Sequence, residues 1–172
     1  MSTIRLVGAV CLAAVLGLAI CAGSQGNFGD AAAIIQFQRS VDSYAFQHRQ
    51  VQRRLGEGAD PNAMAAGMRA ARPTADGDYF TPIVAAAFRS RIAIALRAPG
   101  CKIAAQGTPS SEVPRVGPLA IDTYALPNCV SGVLPRLPEE LEYRVASVTI
   151  ILLDTHANMV VDVLHGAFLA GP

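Results

Sequence analysis

The sequence predicts an α+β domain, with an N-terminal group of about three helices packed on a C-terminal antiparallel sheet of three to four strands. Three observations predict it. Apolar residues recur at spacings of three and four through the first half, and two-residue alternation appears only near the C-terminus. Between the two regions lies a stretch, 99–138, that holds seven of the eleven prolines.

The first segment is a leader. Arg5 is its only charge, the run 6–22 is uncharged and apolar, and Ala22 and Ser24 form a small-residue cleavage site. The pattern predicts an export signal over 1–24 and one exported domain over 25–172. Two variants deliver the same domain: lipidation at Cys21, although Ile20 stands where a small residue is wanted, and retention of the leader as a membrane anchor. All of them place the domain in the periplasm or outside the cell.

The first helix is expected from Asp30 to Leu55, where Ile34, Phe37, Val41, Tyr44, His48, Val51 and Leu55 form one stripe. Ile35 and Phe46 make a smaller patch elsewhere, and Gly56-Glu57-Gly58 supplies a stop. The stripe serves the domain's own core or, as a second use, a homodimer through 34–55. A second helix starts with Asp60 as cap and Pro61 at its first position, carries Met64 and Met68, and ends before Pro73. Thr81-Pro82 repeats that signature and opens a third, running to about Arg97 with Val84, Phe88, Ile92, Ala95 and Leu96 inward.

Periodicity is lost over 99–138, which reads as an irregular connection; short apolar pieces such as Leu119-Ala120-Ile121 and Val130 to Leu134 could add a strand. Cys101 and Cys129 sit near its ends. With Cys11 and Cys21 in the leader, they form an even pair in an oxidising compartment and are expected to be a disulfide. No C-x-x-C motif suggests redox chemistry.

Three strand signatures follow in 24 residues. Leu141, Tyr143 and Val145 alternate with Glu142 and Arg144, 148–153 is almost wholly apolar, and Met159, Val161 and Val163 alternate with Val160 and Asp162. Short links at Ala146-Ser147 and 154–158 suit a meander with the apolar strand in the centre. A centre strand apolar on both faces needs cover on both; the helices supply one side, and the long connection or a partner the other.

The sharpest chemical pattern is the apolar strand ending in Asp154-Thr155-His156. It is similar to the opening block of calcineurin-type metallophosphoesterases, whose Asp and His ligate a metal. That family's later ligand blocks have no counterpart in the 16 residues after His156, which hold Asn158, Asp162 and His165. Strand parity also sets Asp162 and His165 on opposite faces. The competing reading makes Asp154 and Asn158 turn formers that bond nearby backbone. A second candidate is His48, a stripe position whose imidazole serves packing or acts as a pH-sensitive or ligand contact, since imidazoles change charge near physiological pH. No G-x-S-x-G or phosphate-cradling glycine motif is present.

The helix Phe37-Gln-Arg-Ser-Val-Asp-Ser-Tyr44 through His48-Arg49, the run Asp78-Tyr-Phe-Thr-Pro82, and Leu137-Pro-Glu-Glu-Leu-Glu-Tyr-Arg144 with 154–163 resemble a family of small exported bacterial proteins with no assigned activity. The resemblance covers about half of the exported domain. It implies export and a single domain, and it carries over no catalytic residue, cofactor or metal.

Composition narrows the rest. At 172 residues and a net charge of +1 the chain is too short for a large multidomain enzyme and has no electrostatic address for nucleic acid. Setting the leader aside lowers the apolar fraction from 52% to about half, ordinary for a soluble domain. The expected function is a non-enzymatic domain that binds a protein or small molecule in the cell envelope. Its contact surfaces are the long connection and an open sheet face. The alternative is a small metal-dependent or hydrolytic enzyme centred on Asp154 and His156.

Overall fold

A computed structural model describes residues 25–72, 75–101 and 115–169. The export signal read at 1–24 and part of the irregular connection lie outside the described residues. The architecture is α+β, with helices on the N-terminal side and an antiparallel sheet at the C-terminal side.

Helix α1 (Gln25–Leu55) starts before the expected Asp30. Its stripe is buried from Phe37 through Val41, Tyr44, His48 and Val51, with Ile34 half-buried. Leu55 departs from the expectation at 44% exposed, because it is the last helical residue and Gly56 turns the chain away with φ +92°. The stripe is taken up by the protein's own core. Ile35 and Phe46 are solvent-exposed.

Helix α2 (Pro61–Ala71) begins as its sequence signature requires, with Asp60 Oδ2 accepting from the N–H groups of Asn62 and Ala63. It packs closely on α1, and a Cβ at Gly67 would come 2.5 Å from Val51 Cγ1, so glycine there permits the approach. Helix α3 (Pro82–Leu96) buries Val84, Phe88, Ile92 and Ala95. Thr81 makes no side-chain cap bond; its hydroxyl instead lies 3.5 Å from Gln36 Nε2 of α1. Phe37, Phe80, Phe88 and Tyr143 stack or meet edge-on at centroid distances of 4.8–6.3 Å, joining α1, α3 and the sheet.

The connection contributes two short edge strands, β1 (Gly117–Pro118) and β2 (Tyr124–Ala125), and a single helical turn, α4 (Asn128–Ser131). The meander follows as β3 (Leu141–Ala146), β4 (Thr149–Asp154) and β5 (Met159–Leu164), in the antiparallel order β1-β5-β4-β3-β2. Five strands thus replace the three to four expected. Leu119 to Ile121 is not one of them, and Val130 lies in α4. Pairing of Ala146 with Thr149 puts the β3–β4 turn at Ser147-Val148, one residue later than the spacing suggested.

Cys101 and Cys129 form the expected disulfide, with Cα atoms 5.7 Å apart. It ties the end of α3 to α4. By chain entropy a closure of this length contributes roughly 3.5 kcal/mol.

The sheet has two covered faces. Leu141, Tyr143, Val145, Ile150, Leu152 and Val161 belong to the core shared with the helices. On the far side, Ala146, Ile151, Leu153, Val160 and Val163 pack beneath Leu119 and Ile121 of the connection. Every residue of β4 is buried, so the open sheet face expected from sequence does not exist: the connection supplies its own cover. A bulge between Leu152 and Leu153 shifts the β4–β5 register, and it brings Asp162 opposite Leu152, on the helix side.

Candidate functional site

Tyr44, His48 and Gln52 are spaced four apart on α1 and therefore stand in one row along the helix. Opposite them β4 ends at Asp154, which shares the parity of Ile150 and Leu152 and so faces the helices. The side chain of Asp154 is fully buried. Its Oδ1 accepts the N–H groups of His156 at 2.9 Å and Ala157 at 2.8 Å, closing the turn into β5. Its Oδ2 accepts the Tyr44 hydroxyl at 2.6 Å and lies 3.4 Å from His48 Nε2. At that distance the histidine contact is electrostatic, without the alignment of a full hydrogen bond.

The energetics follow from these partners. Burial alone would raise the Asp154 carboxyl, but the His48 and Tyr44 contacts and the Ala157 N–H outweigh it and hold the group below its ordinary value. Burial, then the charge and hydrogen bond of Asp154, push the Tyr44 hydroxyl far above the usual tyrosine range. Tyr44 is therefore a fixed donor to a carboxylate.

His48 is fully buried, and neither of its ring nitrogens has a hydrogen-bond partner among the described residues. It lines a half-open cleft of about 210 Å³ together with Gln52, Gly58, Ala59, Met64 and His156. The α1–α2 loop enters the cleft at Gly58, whose φ of +78° is glycine backbone, and α2 contributes Met64. His156 is exposed at the rim, its ring centroid 5.1 Å from that of His48. Beside this group Arg49 Nη1 bonds Glu140 Oε1 at 2.6 Å, pairing a buried carboxylate with a half-exposed guanidinium.

The residues singled out by sequence separate accordingly. Asp154 and His156 do not converge as co-ligands: both carboxylate oxygens are engaged inside the fold, and the hydrogen bonds present are those of the turn reading. Among the described residues no group of three or more His, Cys, Asp or Glu side chains is arranged to hold a metal. Asp162 is buried elsewhere, accepting N–H groups from Gly77, Tyr79 and Phe80, and His165 lies beyond β5 with its carbonyl accepting from Arg89. His48 and His156 are the sequence candidates that reach the cleft. Gln52 carried a local signal in its four-residue spacing from His48, whereas Met64, Gly58 and Ala59 arrive only through the packing of α2 on α1.

Comparison with protein-family models, with curated proteins and with solved structures yields no match to this chain.

Proposed function

We propose that this is an exported, non-enzymatic binding domain whose ligand is small and seats in the cleft between α1, the start of α2 and the β4–β5 turn. One observation carries the reading: a fully buried histidine, beside an ionised carboxylate, lines that cleft with neither ring nitrogen hydrogen-bonded. A buried polar atom left without a partner costs stability, and a ligand supplying the missing bond recovers it. Export is supported by the leader and by the Cys101–Cys129 pair. The cleft takes over the role that sequence assigned to an open sheet face.

The hydrolytic alternative at Asp154 and His156 has less support, because Asp154 has no oxygen free for a metal or a water nucleophile. The test is a ligand screen read on the His48 and His156 ring signals by NMR, using small polar molecules and metal ions, alongside identification of what the protein carries when purified from its native envelope. Ligands that move both rings together support the reading. If no member moves either ring and nothing co-purifies, it fails.

A further inference from the structure

Resting on that reading of the cleft, we infer that its ligand is a soft monovalent metal cation of the copper(I) type, held by His48 Nδ1, a His156 ring nitrogen and the Met64 thioether. Three donors of this kind line one small space. The argument begins with His48. Its Nε2 lies 3.4 Å from Asp154 Oδ2 without a hydrogen bond, and Nδ1 is likewise unpartnered. A ligating histidine commonly has a carboxylate beside its second nitrogen, and Asp154 occupies that side of His48.

The separation of the two rings fits a shared ion. A metal about 2.0 Å from an imidazole nitrogen lies about 3.2 Å from that ring's centroid. Two centroids 5.1 Å apart then correspond to an angle at the metal of roughly 105°, within the range of trigonal and tetrahedral sites. The third donor sets the class of ion. Met64 is buried on α2, and a thioether is a soft ligand that selects copper(I) over magnesium or calcium, which require oxygens. Zinc is disfavoured by the lack of thiolates and carboxylates at the cleft. Charge points the same way, since the buried Asp154 carboxylate behind His48 opposes an anionic ligand and offsets the charge of a cation.

Silver(I) tests this without redox chemistry. A reductant, needed to keep copper as copper(I), would open the Cys101–Cys129 disulfide and expose competing thiols. Full-length protein carrying Cys11→Ser and Cys21→Ser is titrated with silver(I), with binding read by competition against a chromophoric chelator and by NMR of the histidine rings and the Met64 methyl. The expected result is one equivalent bound, with both rings and the methyl shifting together. Met64→Leu, which keeps volume but removes the sulfur, and His156→Ala, at an exposed position, should each weaken binding roughly tenfold or more, since losing a direct donor costs at least as much as losing an outer-shell partner. Unchanged affinity in either variant overturns the inference, as does binding that leaves the Met64 methyl unmoved or no binding at all. If silver(I) fails while another member of the ligand screen moves His48 and His156, the soft-metal assignment falls and the binding domain stands.

Discussion

Two buried aspartates face the helices from neighbouring strands, and their partners differ in kind. Asp162 on β5 is closed by main chain alone. It accepts N–H groups of Gly77, Tyr79 and Phe80 at 2.7–2.8 Å and of its own neighbour Val163 at 2.8 Å. Asp154 at the end of β4 accepts two main-chain N–H groups, and its other oxygen is left to the Tyr44 hydroxyl and the His48 imidazole. A carboxylate closed by backbone is a fastener, here holding the turn before α3 against the sheet. A carboxylate closed by side chains conveys its charge to whatever those side chains touch, and His48 touches the cleft.

The largest expected effect falls on the fastener. Asp162→Ala strands several buried N–H groups together and loosens the entry to α3, so we expect a loss of about 4 kcal/mol or more, measured by urea denaturation. Ligand affinity, read in whatever fraction folds, should be unchanged. A loss below 1 kcal/mol would break the comparison from this side.

Asp154→Ala comes next, at about 3 kcal/mol, because two turn N–H groups and the Tyr44 hydroxyl lose their acceptor. It differs from Asp162→Ala in also removing the negative charge behind His48, so cation binding should weaken with stability. Acid supplies an independent check. The folded carboxyl of Asp154 lies below its unfolded value of 3.8, so the unfolded chain binds the proton first as pH falls. Its contribution is fully present above the unfolded value and is lost as pH drops through the folded one. Asp154→Asn should therefore flatten the decline in stability below about pH 4. An unchanged acid limb would show that the carboxylate contributes little to folding.

Much of this contrast was out of reach of the sequence for definite reasons. The row of Tyr44 and His48 follows from helical spacing, the cap at Asp60 and the prolines at 61 and 82 mark where helices start, and Cys101 and Cys129 were legible as an even pair at the ends of the irregular connection. Asp154 as a turn former was legible too, since local side-chain-to-backbone bonding is encoded within three residues. The fastening role of Asp162 was not legible, because its partners Gly77, Tyr79 and Phe80 lie more than 80 residues away and the bulge at Leu152/Leu153 that turns it to the helix side leaves no local pattern. The two-residue edge strands carry no periodicity to detect. The cleft itself depends on Met64 and Gly58 meeting His48 and His156, a contact of four separated positions that no local pattern specifies.

Tyr44→Phe isolates one bond of the Asp154 group. The ring stays in the core and the hydroxyl leaves, so the expected loss is about 2 kcal/mol, the scale of a buried hydrogen bond to a charged acceptor. Because the folded hydroxyl of Tyr44 is raised above the ordinary value of 10.0, its contribution is complete below that value and fades as pH climbs, when the unfolded chain ionises first. The variant should therefore lose stability less steeply than the parent in alkali. Tyr79, pushed up to about 12 chiefly by burial, keeps a residual slope in both proteins.

His156→Ala should change stability least and is the sharpest separation of scaffold from site. Its backbone N–H, the part that Asp154 holds, survives the substitution, and its exposed ring makes no hydrogen bond among the described residues. Stability should stay within about 0.5 kcal/mol of the parent. The ring nonetheless sits 5.1 Å from that of His48, so binding in the cleft should fall while denaturation curves superimpose. A histidine needed only for the β4–β5 turn would behave in the opposite way, lowering stability and leaving binding intact. Coincident losses in both would place His156 with Asp162 among the fasteners and confine the functional role of the Asp154 group to His48.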